Sequence, residues 1–220
     1  MNAMNFEQAR FNMVEQQVRT WSVLNQDVLD LLFTVRREDF VPLAYRNLAY
    51  ADSEIPLGHG AVMLAPRIEA HILQALHLRR HERVLEIGAG SGYMAALLAA
   101  HASQVWSVEI RPELAQMARD NLQRAGIASV TVETGDGLQG LSVNAPYDAI
   151  VISGAVPKIP QILLEQLKVG GRLVAIVGQV PVMEMQRITR VGDTAWSTLN
   201  LLETSTAPLA NAPRGDVFSF

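Results

Sequence analysis

Val84-Leu85-Glu86-Ile87-Gly88-Ala89-Gly90-Ser91-Gly92-Tyr93 is the stretch on which the fold of this chain turns. A short apolar run carrying one carboxylate ends in alternating glycines, and the apolar segment Met94 to Ala100 follows directly. That is the order of a buried strand, a tight loop and a helix. Glycines let a ligand approach the backbone, and the exposed amides where a helix begins attract a carboxylate or phosphate. The dinucleotide fingerprint wants its third glycine where this chain has Tyr93, which disfavours a nicotinamide or flavin cofactor.

Outward from this loop the pattern is regular. Arg83 to Ile87, Gln104 to Val108, Val130 to Thr134, Ala149 to Ser153 and Leu173 to Val177 read as strands, with Leu114, Met117, Ala118, Leu122 and Ala125 marking one intervening helix. Strand and helix in alternation predict a parallel sheet. Gly178 to Val182 is too short for a parallel crossover, so Met183 to Val191 must run antiparallel, and Gly192-Asp193 turns into Trp196 to Thr204 to finish a hairpin. On the other side, Pro66 to about Leu76, Gln26 to Val35 and Phe6 to Arg19 read as helices. Between them the periodicity fades from Arg36 to Pro66, where Pro42, Pro56, Gly58 and Gly60 punctuate a connection long enough to lie over a site. The expected fold class is α/β: a doubly wound, mainly parallel Rossmann-like sheet with an antiparallel C-terminal hairpin and a helical N-terminal cap. One domain spans 1–220, with cap and acceptor loop in 1–66 and a cofactor-binding core in 67–220.

Composition narrows the function. A chain of 220 residues, 49% hydrophobic and 18% charged, has enough apolar material for one full core. With a net charge of −4 and no basic block, nucleic acid is a poor partner. There is no cysteine, which removes disulfides, thiolate metal sites and cysteine nucleophiles. No apolar run approaches the roughly 20 residues of a membrane span, and Glu7 and Arg10 sit where a signal peptide is apolar, so no membrane contact and a cytoplasmic location are expected. Among the histidines only His77 and His81 have a helical ligand spacing, and they straddle a helix end with no carboxylate between, so no metal is expected. Trp21, Trp106 and Trp196 are too dispersed for base stacking.

Two carboxylates give the glycine loop its meaning. Glu109 ends the second strand about 20 residues after the loop, where an acidic side chain accepts both ribose hydroxyl hydrogens. Asp136, in Gly135-Asp136-Gly137 after the third strand, can accept an adenine amino hydrogen at the carboxyl edge of the sheet. Each has a plain alternative: a solvated strand end for Glu109, a turn residue for Asp136, tight packing for the loop.

Taken together, these features resemble the S-adenosylmethionine-dependent methyltransferases. The resemblance implies that Gly88, Ala89, Gly90, Ser91 and Gly92 hold the methionyl end, Glu109 the ribose, and Asp136 with Gly137 the adenine, while Glu86 orients the loop. An amino-methylating nucleic-acid enzyme of this fold would carry Asn or Asp and two prolines where this chain reads Ser153 to Pro157. Arg37-Glu38-Asp39-Phe40-Val41-Pro42, Pro56-Leu57-Gly58-His59-Gly60, Ala145-Pro146-Tyr147-Asp148, Ile159-Pro160 and Gly170-Gly171-Arg172-Leu173 are similar to the protein-L-isoaspartate O-methyltransferases over nearly the whole chain.

That resemblance implies methyl transfer from S-adenosylmethionine to the carboxylate of a damaged peptide or protein. A carboxylate, with a reference pKa of about 4, needs no general base. The chain departs from the family at Ala61-Val62-Met63-Leu64-Ala65, where Leu64 stands at the position of a serine that helps hold the acceptor, and at Ser153-Gly154, where the family has threonine and alanine. No catalytic residue is fixed; His59, Arg67 and Ser153 are the remaining side chains able to meet the acceptor. Two other functions stay open: methylation of a smaller, more apolar acceptor against the Ala61 to Ala65 wall, and cofactor binding without turnover. The Arg214-Gly215-Asp216 tripeptide in the tail matches the adhesion motif by composition only.

Overall fold

The structure, a computed structural model, describes residues 5–213. The tripeptide at 214–216 lies outside them.

The cap opens with α1 (Phe6–Asn12), whose Asn5 side chain accepts the Gln8 N–H. The chain then widens into a π-helical stretch, Met13–Val18, and tightens into a 3₁₀ turn, Arg19–Trp21. The sequence predicts one helix here; the wider turn brings Met13 and Val18, five residues apart and both buried, toward the same face. Helix α2 (Gln26–Thr34) is capped by Asn25 and buries Val28, Leu29, Leu31 and Leu32. Residues 36–66 are not featureless: β1 (Ile55–Gly58) and β2 (Ala61–Met63) pair antiparallel around the Gly58-His59-Gly60 turn. Strands this short show no readable alternation.

Helix α3 (Pro66–Leu76) begins on a proline, which fits the first helical turn, and ends at His77 in the left-handed region. Then follow β3 (Arg83–Ile87), α4 (Tyr93–Ala99), β4 (Gln104–Glu109), α5 (Pro112–Arg124), β5 (Val130–Thr134), β6 (Tyr147–Val156), α6 (Gln161–Glu165), β7 (Leu167–Gln179), β8 (Val182–Gly192) and β9 (Ala195–Glu203). The seven-stranded sheet has the order β5-β4-β3-β6-β7-β8-β9. Its first five strands are parallel, and β8 and β9 run antiparallel, as the short connections require. Chain order reverses at β3, which puts a crevice beyond the carboxyl ends of β3 and β6.

Alternating residues divide between two cores. Val84, Val105, Val151 and Val174 face the cap and α3 to α5, while Leu85, Ile87, Ile150 and Leu173 face α6 and the short turns on the other side. Two strands exceed their predicted limits by more than one residue at an end. β7 begins at Leu167 because Gly171, which interrupts the apolar pattern, packs against the carbonyls of Lys168, Asp148 and Tyr147, where a Cβ would lie within 3.1 Å of each. β6 continues to Val156, and its extension carries a bulge: Val151 pairs with Val174 and Ala155 with Ile176, so β6 uses four steps where β7 uses two. Ser153 and Gly154 sit in the bulge. The final segment returns to the same place, with Ala155 N–H donating to Ala207 O (3.0 Å) and Leu209 N–H to Ala155 O (2.9 Å).

Candidate active site

The glycine loop is built by backbone geometry that only glycine adopts freely. Gly88, Gly90 and Gly92 have φ of 92°, 51° and 82°. Gly92 also abuts α5, where a Cβ would lie 3.1 Å from the Ala118 carbonyl oxygen. From the same helix, Asn121 donates to Ser91 O (2.8 Å). Asn121 is missing from the sequence reading, although a signal exists: a buried polar residue on the apolar face set by Leu114, Ala118 and Leu122.

Glu109, 6% exposed at the end of β4, closes on the loop. Its Oε2 accepts the Gly90 N–H (2.9 Å) and its Oε1 the Arg111 N–H (3.1 Å). Asp136, just after β5, accepts the Leu138 N–H (3.0 Å) on Oδ1 and faces Asn211 Nδ2 (3.4 Å) with Oδ2. Gly137 beside it must lack a side chain, because a Cβ would fall 2.6 Å from the buried Ile87. Since β5, β4, β3 and β6 are neighbours, Asp136, Glu109, the loop and Ser153 follow one another along one edge.

All of them line one cleft except Ala89, Ser91 and Gly92, which support the loop from behind. The cleft opens to solvent, and the space within it and its open mouth together comes to about 670 Å³. Among the described residues no Lys or Arg forms an ion pair with Glu109 or Asp136. An ionised carboxylate accepts at roughly four positions, so both retain acceptor capacity for hydroxyl and amino donors. That is the donor set of the ribose and adenine of S-adenosylmethionine, and the residues present fit it.

Among the described residues, no hydrogen bond joins the Glu86 side chain to the loop. Glu86 is 0% exposed; Ser107 Oγ lies 2.5 Å from its Oε2 and Ser153 Oγ 3.0 Å from its Oε1. Its hydrogen bonds run sideways to β4 and β6, not to the loop that the resemblance has it orient. Burial pushes its carboxyl up to about 8, only partly opposed by the two hydroxyls. Unfolded, the group ionises near 4.5, so between that pH and about 8 the folded state holds a proton that the unfolded state has released, and stability falls as pH rises. Relative to Glu86→Gln, which cannot titrate, the wild type is expected to lose up to about 1.4 kcal/mol per pH unit across this window, read by urea unfolding. Parallel pH profiles would contradict the burial argument.

The acceptor candidates separate. Leu64, 4% exposed, points into the core and offers its carbonyl to Arg37 Nη2 (2.6 Å). Arg67 is paired with Asp52 and lies over the Trp21 ring, away from the cleft. His59 occupies the exposed tip of the β1–β2 turn with φ 55°. Of these candidates only Ser153 lines the cleft, which Ala61 and Val62 also line. Met63, Leu64 and Ala65 are buried behind that wall rather than part of it.

The family model for protein-L-isoaspartate(D-aspartate) O-methyltransferase matches residues 8–212. The chain belongs to the protein-L-isoaspartate O-methyltransferase family. Relatives bearing that name include one from Methanoculleus marisnigri, 45% identical over 82% of each chain, and one from Gloeobacter violaceus, 42% identical over 91% of this chain and 96% of the other. Among solved structures, a protein-L-isoaspartate O-methyltransferase superposes with a TM-score of 0.78 at 25% identity, covering 92% of this chain and 66% of that one. A Plasmodium falciparum structure, named as a candidate member of the family and in complex with S-adenosyl-L-homocysteine, has a TM-score of 0.79 at 19% identity over 94% of this chain and 99% of its own, which supports the fold. The methyltransferase family thus accounts for both sheet and cap. No helix among the described residues is long and apolar enough to cross a membrane.

Proposed function

We propose that this chain transfers the methyl group of S-adenosylmethionine to the carboxylate of isoaspartyl residues in damaged proteins. The observation that carries the reading is the carboxylate pair Glu109 and Asp136, without an ion-pair partner among the described residues, facing one cleft beside the glycine loop. When bound, the cofactor supplies a methyl group on a positively charged sulfur, which keeps the bonding pair as the acceptor oxygen takes the carbon.

The protein's own part is alignment and exclusion of water. Glu109 accepts the ribose hydroxyls while keeping the Gly90 amide, so holding the cofactor and ordering the loop are one event. Asp136 accepts from the adenine end. Ala61, Val62, Pro208 and Leu209 line the cleft with apolar surface that keeps water from the acceptor oxygen. An ionised carboxylate carries its own nucleophilic pair, so no residue need remove a proton. The work is assigned to the cytoplasm, on peptide or protein acceptors and not nucleic acid. The apolar Ala61–Val62 wall alone would suit a smaller apolar acceptor, but family membership over nearly the whole chain favours the isoaspartyl one.

Incubation with methyl-labelled S-adenosylmethionine and paired peptides, identical except for one isoaspartyl or aspartyl linkage, is expected to label the isoaspartyl peptide alone, as a base-labile ester. No label, or label only on an unrelated apolar small molecule, would overturn this reading.

A further inference from the structure

We propose that Ser153 is the side chain that binds the acceptor carboxylate, and that Glu86, from behind, positions its hydroxyl. The inference rests on the methyl-transfer reading above and adds the acceptor contact, which that reading leaves open.

The cleft has two chemically different ends. Its polar side chains are Glu109, Arg111, Asp136, Asn211 and Ser153, and the first four belong to the ends of β4 and β5 or bond to a residue there. Among the described residues Ser153 is the one polar side chain lining the β6 side, near Gly88, Gly154, Ala207 and Leu209. A carboxylate entering this end loses water and needs a donor. The bulge in β6 lets Ser153 supply it, since bulges beside sites re-aim side chains that a regular ladder would hold in the sheet. Gly88 brings the loop close: a Cβ built on it would lie 3.7 Å from that of Ser153.

Glu86 decides where the serine hydrogen goes. Hydroxyls reach it from β4 (Ser107) and β6 (Ser153), and the carboxyl groups of Glu109 at the end of β4 and of Glu69 on α3 both act to raise it, Glu69 being paired with Arg37 and itself pushed up to about 7 by burial. It is therefore held as the neutral acid, with one proton to donate. Ser107 is fully buried and has Glu86 as its side-chain partner, so its hydrogen must point there or be left unsatisfied. The acid's proton then goes to Ser153 Oγ, and the Ser153 hydrogen is released into the cleft. Ionised, Glu86 would instead draw that hydrogen back toward itself.

The test is steady-state methylation of an isoaspartyl peptide across about pH 6 to 9.5, bracketing the Glu86 transition, together with calorimetric binding of S-adenosyl-L-homocysteine. Ser153→Ala is expected to raise the peptide KM about tenfold or more, with affinity for S-adenosyl-L-homocysteine within about twofold, and Ser153→Thr to recover most of the loss. In the wild type kcat/KM falls above about pH 8, and Glu86→Gln, whose amide can only donate to Ser153 from that side, removes this limb. An unchanged KM in Ser153→Ala, a parallel loss of nucleoside binding, or an alkaline limb that persists in Glu86→Gln would overturn the assignment. A wild type inactive on the isoaspartyl peptide would overturn the functional reading and this contact with it; an active wild type with an indifferent Ser153→Ala overturns this contact alone.

Discussion

Glu109→Ala is expected to weaken S-adenosyl-L-homocysteine binding by at least about 100-fold, measured by calorimetry, with methyl transfer lost in proportion. Two ribose hydroxyls donating to one ionised carboxylate contribute about 1.5 to 3 kcal/mol each, and every 1.4 kcal/mol is tenfold in affinity. The same side chain accepts the Gly90 and Arg111 N–H groups, so its loss also frees the loop that the ligand must meet. Glu109→Gln separates these contributions. Its single carbonyl can keep the Gly90 bond, but its NH₂ faces the Arg111 N–H, donor against donor, so an intermediate loss is expected. Near wild-type affinity in Glu109→Ala, with far-UV circular dichroism unchanged, would remove the basis of the cofactor assignment.

Glu109 and Asp136 were legible in the sequence for a physical reason. β4 is largely buried and reads as an apolar run, so the carboxylate that closes it, Glu109, stands out; Asp136 stands out instead as a carboxylate between two glycines after β5, and the topology sends both strand ends to one edge. The acceptor side lacks that regularity. β2 is three residues long, so residue order there says little about which side chain faces the cleft: Val62 does, while Met63 and Leu64 turn inward. A substitution at position 64 therefore changes core packing rather than a side chain of the cleft wall. Arg67 was misleading for another reason, since nothing in its local sequence announces Asp52 or Trp21 as partners. Nothing in the local sequence of Ser153 announces the bulge in which it sits, a register mismatch between β6 and β7 visible only once the strands are paired.

The largest expected loss of stability comes from Arg37, inside a motif that the sequence reading used only for its resemblance. Arg37 is 0% exposed; it is paired with the equally buried Glu69, donates Nη2 to Leu64 O (2.6 Å) and lies over the Tyr93 ring at 5.0 Å. One guanidinium thus joins the cap, α3, the residue after the β1–β2 hairpin and the start of α4. Arg37→Met is expected to cost about 3 to 5 kcal/mol in urea unfolding at alkaline pH, where it strands a buried carboxylate, and less near neutral pH, where Glu69, already pushed up to about 7 by burial, takes up a proton instead. Removing both charges should behave differently: Arg37→Met with Glu69→Leu is expected to recover most of that loss, since apolar replacements of a buried pair are often neutral. The double variant still leaves the Leu64 carbonyl without its donor, so the hairpin carrying Ala61 and Val62 is held less firmly. Peptide KM is therefore expected to remain several-fold raised in a protein whose unfolding midpoint is nearly restored, as one lost hydrogen bond of about 1 kcal/mol would allow. If stability and KM recover together, the pair serves folding alone; if neither recovers, packing around Tyr93 rather than charge holds the cap to the sheet.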